Sequence, residues 1–124
     1  SPPVGKWVAL RELPGGMFYH QAYQGYSGHR LAKVIDNHSN VFERAAKDLG
    51  GIPLAMGDAA FAFDALPRVK VAAVYHAADE GLPASASVLF DASASHYLPT
   101  DLLAGVGSAL VDRLTGAEAK DETG

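Results

Sequence analysis

The chain has 124 residues, 48% of them hydrophobic and 19% charged, which is the composition of one ordinary folded domain. The net charge is −4 and the basic residues are scattered, so there is no electrostatic footprint for nucleic acid. There is no cysteine, which excludes disulfides, a thiolate nucleophile and cysteine-ligated zinc or iron–sulfur clusters, and no run of about 18 apolar residues suggests a membrane span.

The lack of cysteine fits a reducing compartment, so a cytoplasmic location is the expectation. The chain begins at Ser1 with two prolines, without a methionine and without a visible signal peptide, as a processed or trimmed product would.

Residues 1–5 read as a frayed lead-in. Lys6 to Leu13, with Trp7, Val8, Leu10 and Leu13, predicts a first strand, stopped by Pro14-Gly15-Gly16. Met17 to Tyr26 mixes Phe18, Tyr19, Tyr23 and Tyr26 with His20, Gln21 and Gln24; a strand, a short helix and the wall of a pocket all fit this pattern.

Leu31, Val34 and Ile35 recur at helical spacing, predicting a helix over His29 to Asn37. Ser39 or Asn40 is a suitable N-cap for a second helix, or for the continuation of one helix broken near His38. Its expected buried stripe is Val41, Phe42, Ala45, Ala46 and Leu49, and Gly50-Gly51 supplies the left-handed residue that ends it.

Ile52 to Met56 reads as a short extended piece and Ala59 to Phe63 as a strand alternating about Phe61 and Phe63. Val69 to His76 is dense enough in apolar residues to be central in a sheet. Asp79-Glu80-Gly81 and Pro83 are turn residues, so Ala84 to Phe90 is expected to pair antiparallel with Val69–His76. Asp91 to Ser95 reads as a loop. Pro99-Thr100-Asp101 starts a final helix with the stripe Leu102, Leu103, Val106, Leu110, Val111 and Leu114, ended by Gly116. Gly105 and Gly107 on that helix predict close packing against the sheet. The expected whole is a single α+β domain over 1–116, a mainly antiparallel sheet with helices packed on one face, followed by a polar tail at 117–124.

Candidate chemistry rests on a few polar residues. Asp58, Asp64 and Asp91 stand at predicted strand ends, where a carboxylate accepts backbone N–H bonds or holds a ligand hydroxyl or cation; the turn-fixing role is the commoner one. The five histidines lack the four-residue helical spacing of a zinc pair. His20, His76 and His96 are the candidates for axial ligation of a metal or tetrapyrrole, with His76 and His96 expected to be neighbours if their strands pair. Phe18 and Tyr23 would line the pocket, and Arg68, after Leu66-Pro67, is a candidate anion fork. Gly-x-Ser-x-Gly, phosphate-loop and calcium-loop patterns are absent.

The order Gly50-Gly51, Gly57-Asp58, Leu66-Pro67-Arg68, Asp79-Glu80, Leu89-Phe90-Asp91 and Leu98-Pro99 resembles a prokaryotic family, domain of unknown function 3786, across nearly the whole chain and most strongly from Gly50 to Leu103. Members look like soluble domains of anaerobic bacteria and archaea, some fused to a four-cysteine iron–sulfur domain of the kind in corrinoid iron–sulfur proteins. The cysteine-free chain lacks that part. The family has no established catalytic residues to carry over. By association, the resemblance implies a link to corrinoid, tetrapyrrole or one-carbon metabolism.

The leading expectation is therefore a small binding module for a metal-bearing corrinoid or haem, or for a protein that carries one. Phe18, Tyr23, Arg68, Asp58 and Asp91 would contact the cofactor, and His20, His76 or His96 would bind metal. The alternatives are an interaction domain, as a homodimer through a strand edge or docked on an iron–sulfur partner, and an acid/base enzyme using Asp58, Asp91 and His96.

Overall fold

Alternating apolar residues over the middle of the chain build a β-meander, and in the computed structural model, which describes residues 5–116, this meander is the centre of the protein. The strands are β1 (Trp7–Val8), β2 (Ile52–Pro53), β3 (Ala59–Leu66), β4 (Val69–His76) and β5 (Ser85–Asp91). They form one antiparallel sheet in the order β1-β5-β4-β3-β2. The helices are α1 (His20–Tyr26), α2 (Gly28–Ile35), α3 (Ser39–Asp48) and α4 (Thr100–Thr115), with 3-10 turns at Leu10–Glu12, Gly16–Phe18 and Ala94–His96.

β4 is central, as its composition requires, and pairs with β5 from Val71↔Phe90 to His76↔Ser85. One face of the sheet presents Phe61, Phe63, Val71, Ala73, Tyr75, Val88 and Phe90 to a core completed by Leu31 and Ile35 of α2, Phe42 of α3 and Leu103 and Val111 of α4. Phe42 packs edge-on to Phe61, with ring centroids 5.5 Å apart, and Tyr23 lies 5.9 Å from Phe90. By strand alternation the opposite face carries Ala60, Ala62, Ala72, Val74, Ser87 and Leu89, and Ala60, Ala72 and Val74 are buried outside that core. The architecture is α+β with its helices on one face of the sheet, as expected.

Several local expectations need correction. The predicted first strand shrinks to Trp7–Val8, because Ala9 onwards turns into a 3-10 helix whose Leu10 enters the core. Of the readings open for Met17 to Tyr26 the structure takes the helical one: a 3-10 turn and then α1. α2 and α3 are two helices, as expected, with the break where Asp36 takes φ 51°. The position preceding α3 is His38, not Ser39 or Asn40, and its side chain makes no cap bond. Val41, Leu49 and Leu102, expected in the buried stripes, are exposed at 51%, 38% and 53%, because each helix buries a narrower face than its apolar residues span. The polar tail lies outside the described residues.

Pro67-Arg68 forms the two-residue β3–β4 turn, with Leu66 opposite Val69. Arg68 has φ 66°, and a proline followed by a positive-φ residue is the type II pattern. The register shifts between Asp64 and Leu66, a bulge that re-aims the end of β3.

Two glycines permit close approaches. A Cβ on Gly107 would lie 2.1 Å from the Tyr23 hydroxyl, so α4 closes on α1 there and not on the sheet. A Cβ on Gly105 meets nothing within 4 Å; this glycine faces outward and the expected packing role falls to Gly107 alone. Gly28 lets the start of α2 ride over β5, where a Cβ would be 2.2 Å from the Ala86 carbonyl oxygen.

Candidate functional site

Asp91 ends β5 fully buried, and its carboxylate is consumed by the backbone around it. One oxygen accepts the Gly5 N–H at 2.8 Å; the other accepts the Ser93 N–H at 3.0 Å and the Ser93 hydroxyl at 2.5 Å. This ties the entry to β1 to the turn after β5. Asp58 is exposed and its carboxylate accepts the Ala77 N–H at 2.7 Å, fastening the start of β3 to the end of β4. Asp64 pairs with Lys70 across the hairpin at 2.6 Å. All three acids thus make structural contacts of the kind that carboxylates at turns favour.

The expected constellation does not assemble. Continuing the strand register, Asp91 falls opposite Lys70 and Asp58 opposite His76, six strand positions apart, or roughly 20 Å. Asp58, Asp91 and His96 therefore share no cleft. His76 and His96 are not neighbours either: the strands do pair, but His76 sits opposite Ser85 at the start of β5, whereas His96 follows the end of β5 in an exposed turn. His20 begins α1, and among the described residues no three histidines or acids group as metal ligands. Phe18 is 89% exposed while Tyr23 is 2% exposed, so the two line no common pocket. Arg68 is exposed at the hairpin tip.

The concave features lie elsewhere. A cleft of about 250 Å³ runs between the far half of β3 and α4. Its walls are Phe63, Ala65, Leu66, Val106, Ala109 and Leu110, closed at one end by Leu49 and rimmed by Asp64 and Arg113. A hollow beside it, sharing Asp64, Ala65 and Leu66, reaches Arg68 and Lys70. β2 covers the edge of β3 only over Ala60 to Ala62, through two paired residues and the Leu54 N–H on the Ala60 carbonyl. Backbone polarity alternates along a strand, so the same side of Asp64 faces outward with no strand beside it among the described residues.

A second, smaller cavity of about 170 Å³ lies at the opposite edge of the sheet, where β1 has left β5. Arg11, His20 and Gln24 line it with Leu10 and Tyr23, and the edge of β5 adds Ser87, Val88 and Leu89. Tyr23 forms its floor and donates its hydroxyl to the Val88 carbonyl at 3.2 Å. Burial raises the Tyr23 phenol far above its ordinary range, opposed by a hydrogen bond with Ser27 and reinforced by Tyr26, so Tyr23 is a neutral donor and not a phenolate ligand.

Reasoning from sequence singled out His20, Tyr23 and Arg68 but missed the residues beside them. Arg11, Gln24 and Ser87 come from three elements, and nothing short of the register of β5 places them together. The β3 edge had one signal in the sequence, the shortness of the strand before Gly57 compared with the strand after it.

No helix among the described residues is long and apolar enough to cross a membrane. Neither the curated proteins nor the solved structures give a match to this chain. A family model described as "Domain of unknown function (DUF3786)" matches residues 1–113, in keeping with the ordered Gly50–Leu103 motifs, and the chain belongs to that family.

Proposed function

We propose that this protein is an interaction domain that takes an extended segment of a partner protein along the outer edge of β3, in the cleft beneath α4. The observation that carries the reading is the uncovered Asp64 backbone beside an apolar cleft bounded by a helix. An extended chain placed there gains main-chain hydrogen bonds from the edge, and its alternate side chains enter the cleft. The surroundings select its chemistry. Arg68 stands at the hairpin tip beyond the Asp64–Lys70 pair, so an apolar segment with an acidic residue is the complementary occupant.

A homodimer through the same edge is less well supported. A twofold pairing centred on Asp64 would oppose two like charges. The tetrapyrrole reading also draws less support, because His20, His76 and His96 are dispersed. An iron–sulfur or corrinoid protein in the cytoplasm enters this proposal only as a source of the segment, on the strength of the resemblance.

The test is selection of extended peptides from a random display library, followed by amide-shift mapping of the best binder. Enrichment of apolar-acidic sequences, shifts at Asp64 to Leu66 and loss of binding in Ala109→Glu are expected. Binding that maps to another surface, or a Soret change on adding haem that is lost in one histidine variant, would overturn the reading.

A further inference from the structure

The cavity at the β5 edge has a different chemistry from the cleft and lies on the other side of the molecule. Arg11, His20, Gln24 and Ser87 line it, and none of these side chains makes a hydrogen bond or ion pair to another described residue. Among the described residues no carboxylate lines it, although the chain as a whole carries a net charge of −4. The nearby Glu12 is engaged, accepting the Ala9 N–H at 2.7 Å.

The backbone adds a donor. The Lys6 carbonyl accepts from Ala92, and Val8 stands opposite Phe90, so the polar groups of Phe90 and, two residues earlier, Val88 face away from β4. The Val88 carbonyl is met on that side by Tyr23. Its N–H points the same way, at the cavity, because β1 has already turned off into the Leu10–Glu12 helix.

We infer that this cavity binds a short-chain aliphatic carboxylate. A guanidinium receives a carboxylate through two parallel N–H bonds, and the Gln24 amide, the Ser87 hydroxyl, the His20 ring and the Val88 N–H supply further donors. The half-buried Leu89 gives the alkyl chain an apolar wall, which an inorganic anion would leave unused. A volume of about 170 Å³ equals that of about five or six waters, which suits an acid of three or four carbons. The inference is independent of the β3 cleft, so either reading can fail alone.

The experiment is an amide-shift titration of the whole chain with butyrate, with inorganic phosphate as the control anion, repeated on Arg11→Gln. Arg11 is exposed, so this variant keeps the fold. Saturable butyrate shifts centred on Ser87 and Val88, weakened about tenfold or more in Arg11→Gln and at least tenfold weaker for phosphate, are expected. Any one of three results overturns the inference: no saturable shift up to about 50 mM butyrate, an unchanged affinity in Arg11→Gln, or phosphate binding as tightly as butyrate.

Discussion

Gly105 and Gly107 sit two residues apart on α4, and replacing each with alanine should change stability in opposite directions. The gain in helix propensity is the same for both, about 1 kcal/mol. At Gly105 nothing lies within 4 Å of the new methyl, so the whole gain is realised. At Gly107 the methyl would lie 2.1 Å from the Tyr23 hydroxyl and 3.0 Å from the ring carbon bearing it. Tyr23 cannot swing away freely, because it is 2% exposed and held by Phe90 and the Val88 carbonyl. Overpacking of this kind costs about 1–3 kcal/mol, and losing the Val88 bond costs about 1 kcal/mol more. The net expectation is a loss of roughly 1–3 kcal/mol at Gly107 against a gain of roughly 1 kcal/mol at Gly105. Urea unfolding of both variants measures the difference. Adding Tyr23→Phe to Gly107→Ala removes the atom in closest conflict and should recover part of the loss. If Gly107→Ala proves as stabilising as Gly105→Ala, the contact between α1 and α4 is not the tight one described, and the floor of the His20 cavity is misplaced with it.

Asp91→Asn keeps the shape but turns an amide donor toward groups that are themselves donors, so a loss of about 2–3 kcal/mol in urea unfolding is expected; a loss below 0.5 kcal/mol would refute the tethering role. Tyr23 and Tyr75 are both buried, and burial raises both phenols, with Asp36 and then Asp58 adding to the rise at Tyr75. A phenol whose folded value lies above its unfolded value stabilises fully below the unfolded value of about 10 and loses that contribution as pH rises beyond it. Stability should therefore fall above about pH 10, with phenolate absorbance from these two tyrosines appearing only on unfolding; their ionisation near pH 10 in a folded protein would contradict this. Phe18→Ser should leave the unfolding midpoint within about 0.5 kcal/mol of the parent, since Phe18 is 89% exposed.

Legibility followed the range of the interactions that fix each element. β3, β4, β5 and the amphipathic α2 and α4 are written in local periodicity, and Gly50 and Gly116 stop their helices with φ of 81° and 76°, as glycine at those positions predicts. β1 was overextended because two strand residues exist only through Phe90 and Asp91, and no local pattern announces where that pairing stops. Asp58, Asp91 and the histidines had the right residue types for chemistry, but an acid at a strand end is satisfied by turn amides as readily as by a ligand. The β3 cleft and the β5-edge cavity are made of residues that share no segment: Phe63 with Val106 in one, Arg11 with Ser87 in the other. Such sites follow from sheet order, which a single sequence does not carry.

The pairing of β1 with the end of β5 also bears on the order of assembly. β3, β4 and β5 are joined by hairpins, so their contacts close short loops, whereas Trp7↔Asp91 must close a loop of most of the chain. Loop-closure entropy makes such a contact a late one. On this ground the meander with its helices is expected in the transition state, with the clasp around Asp91 closing after the barrier. Val8→Ala should then speed unfolding and leave refolding unchanged, a φ-value near zero, so this strand governs how long the native state lasts and not how quickly it is reached.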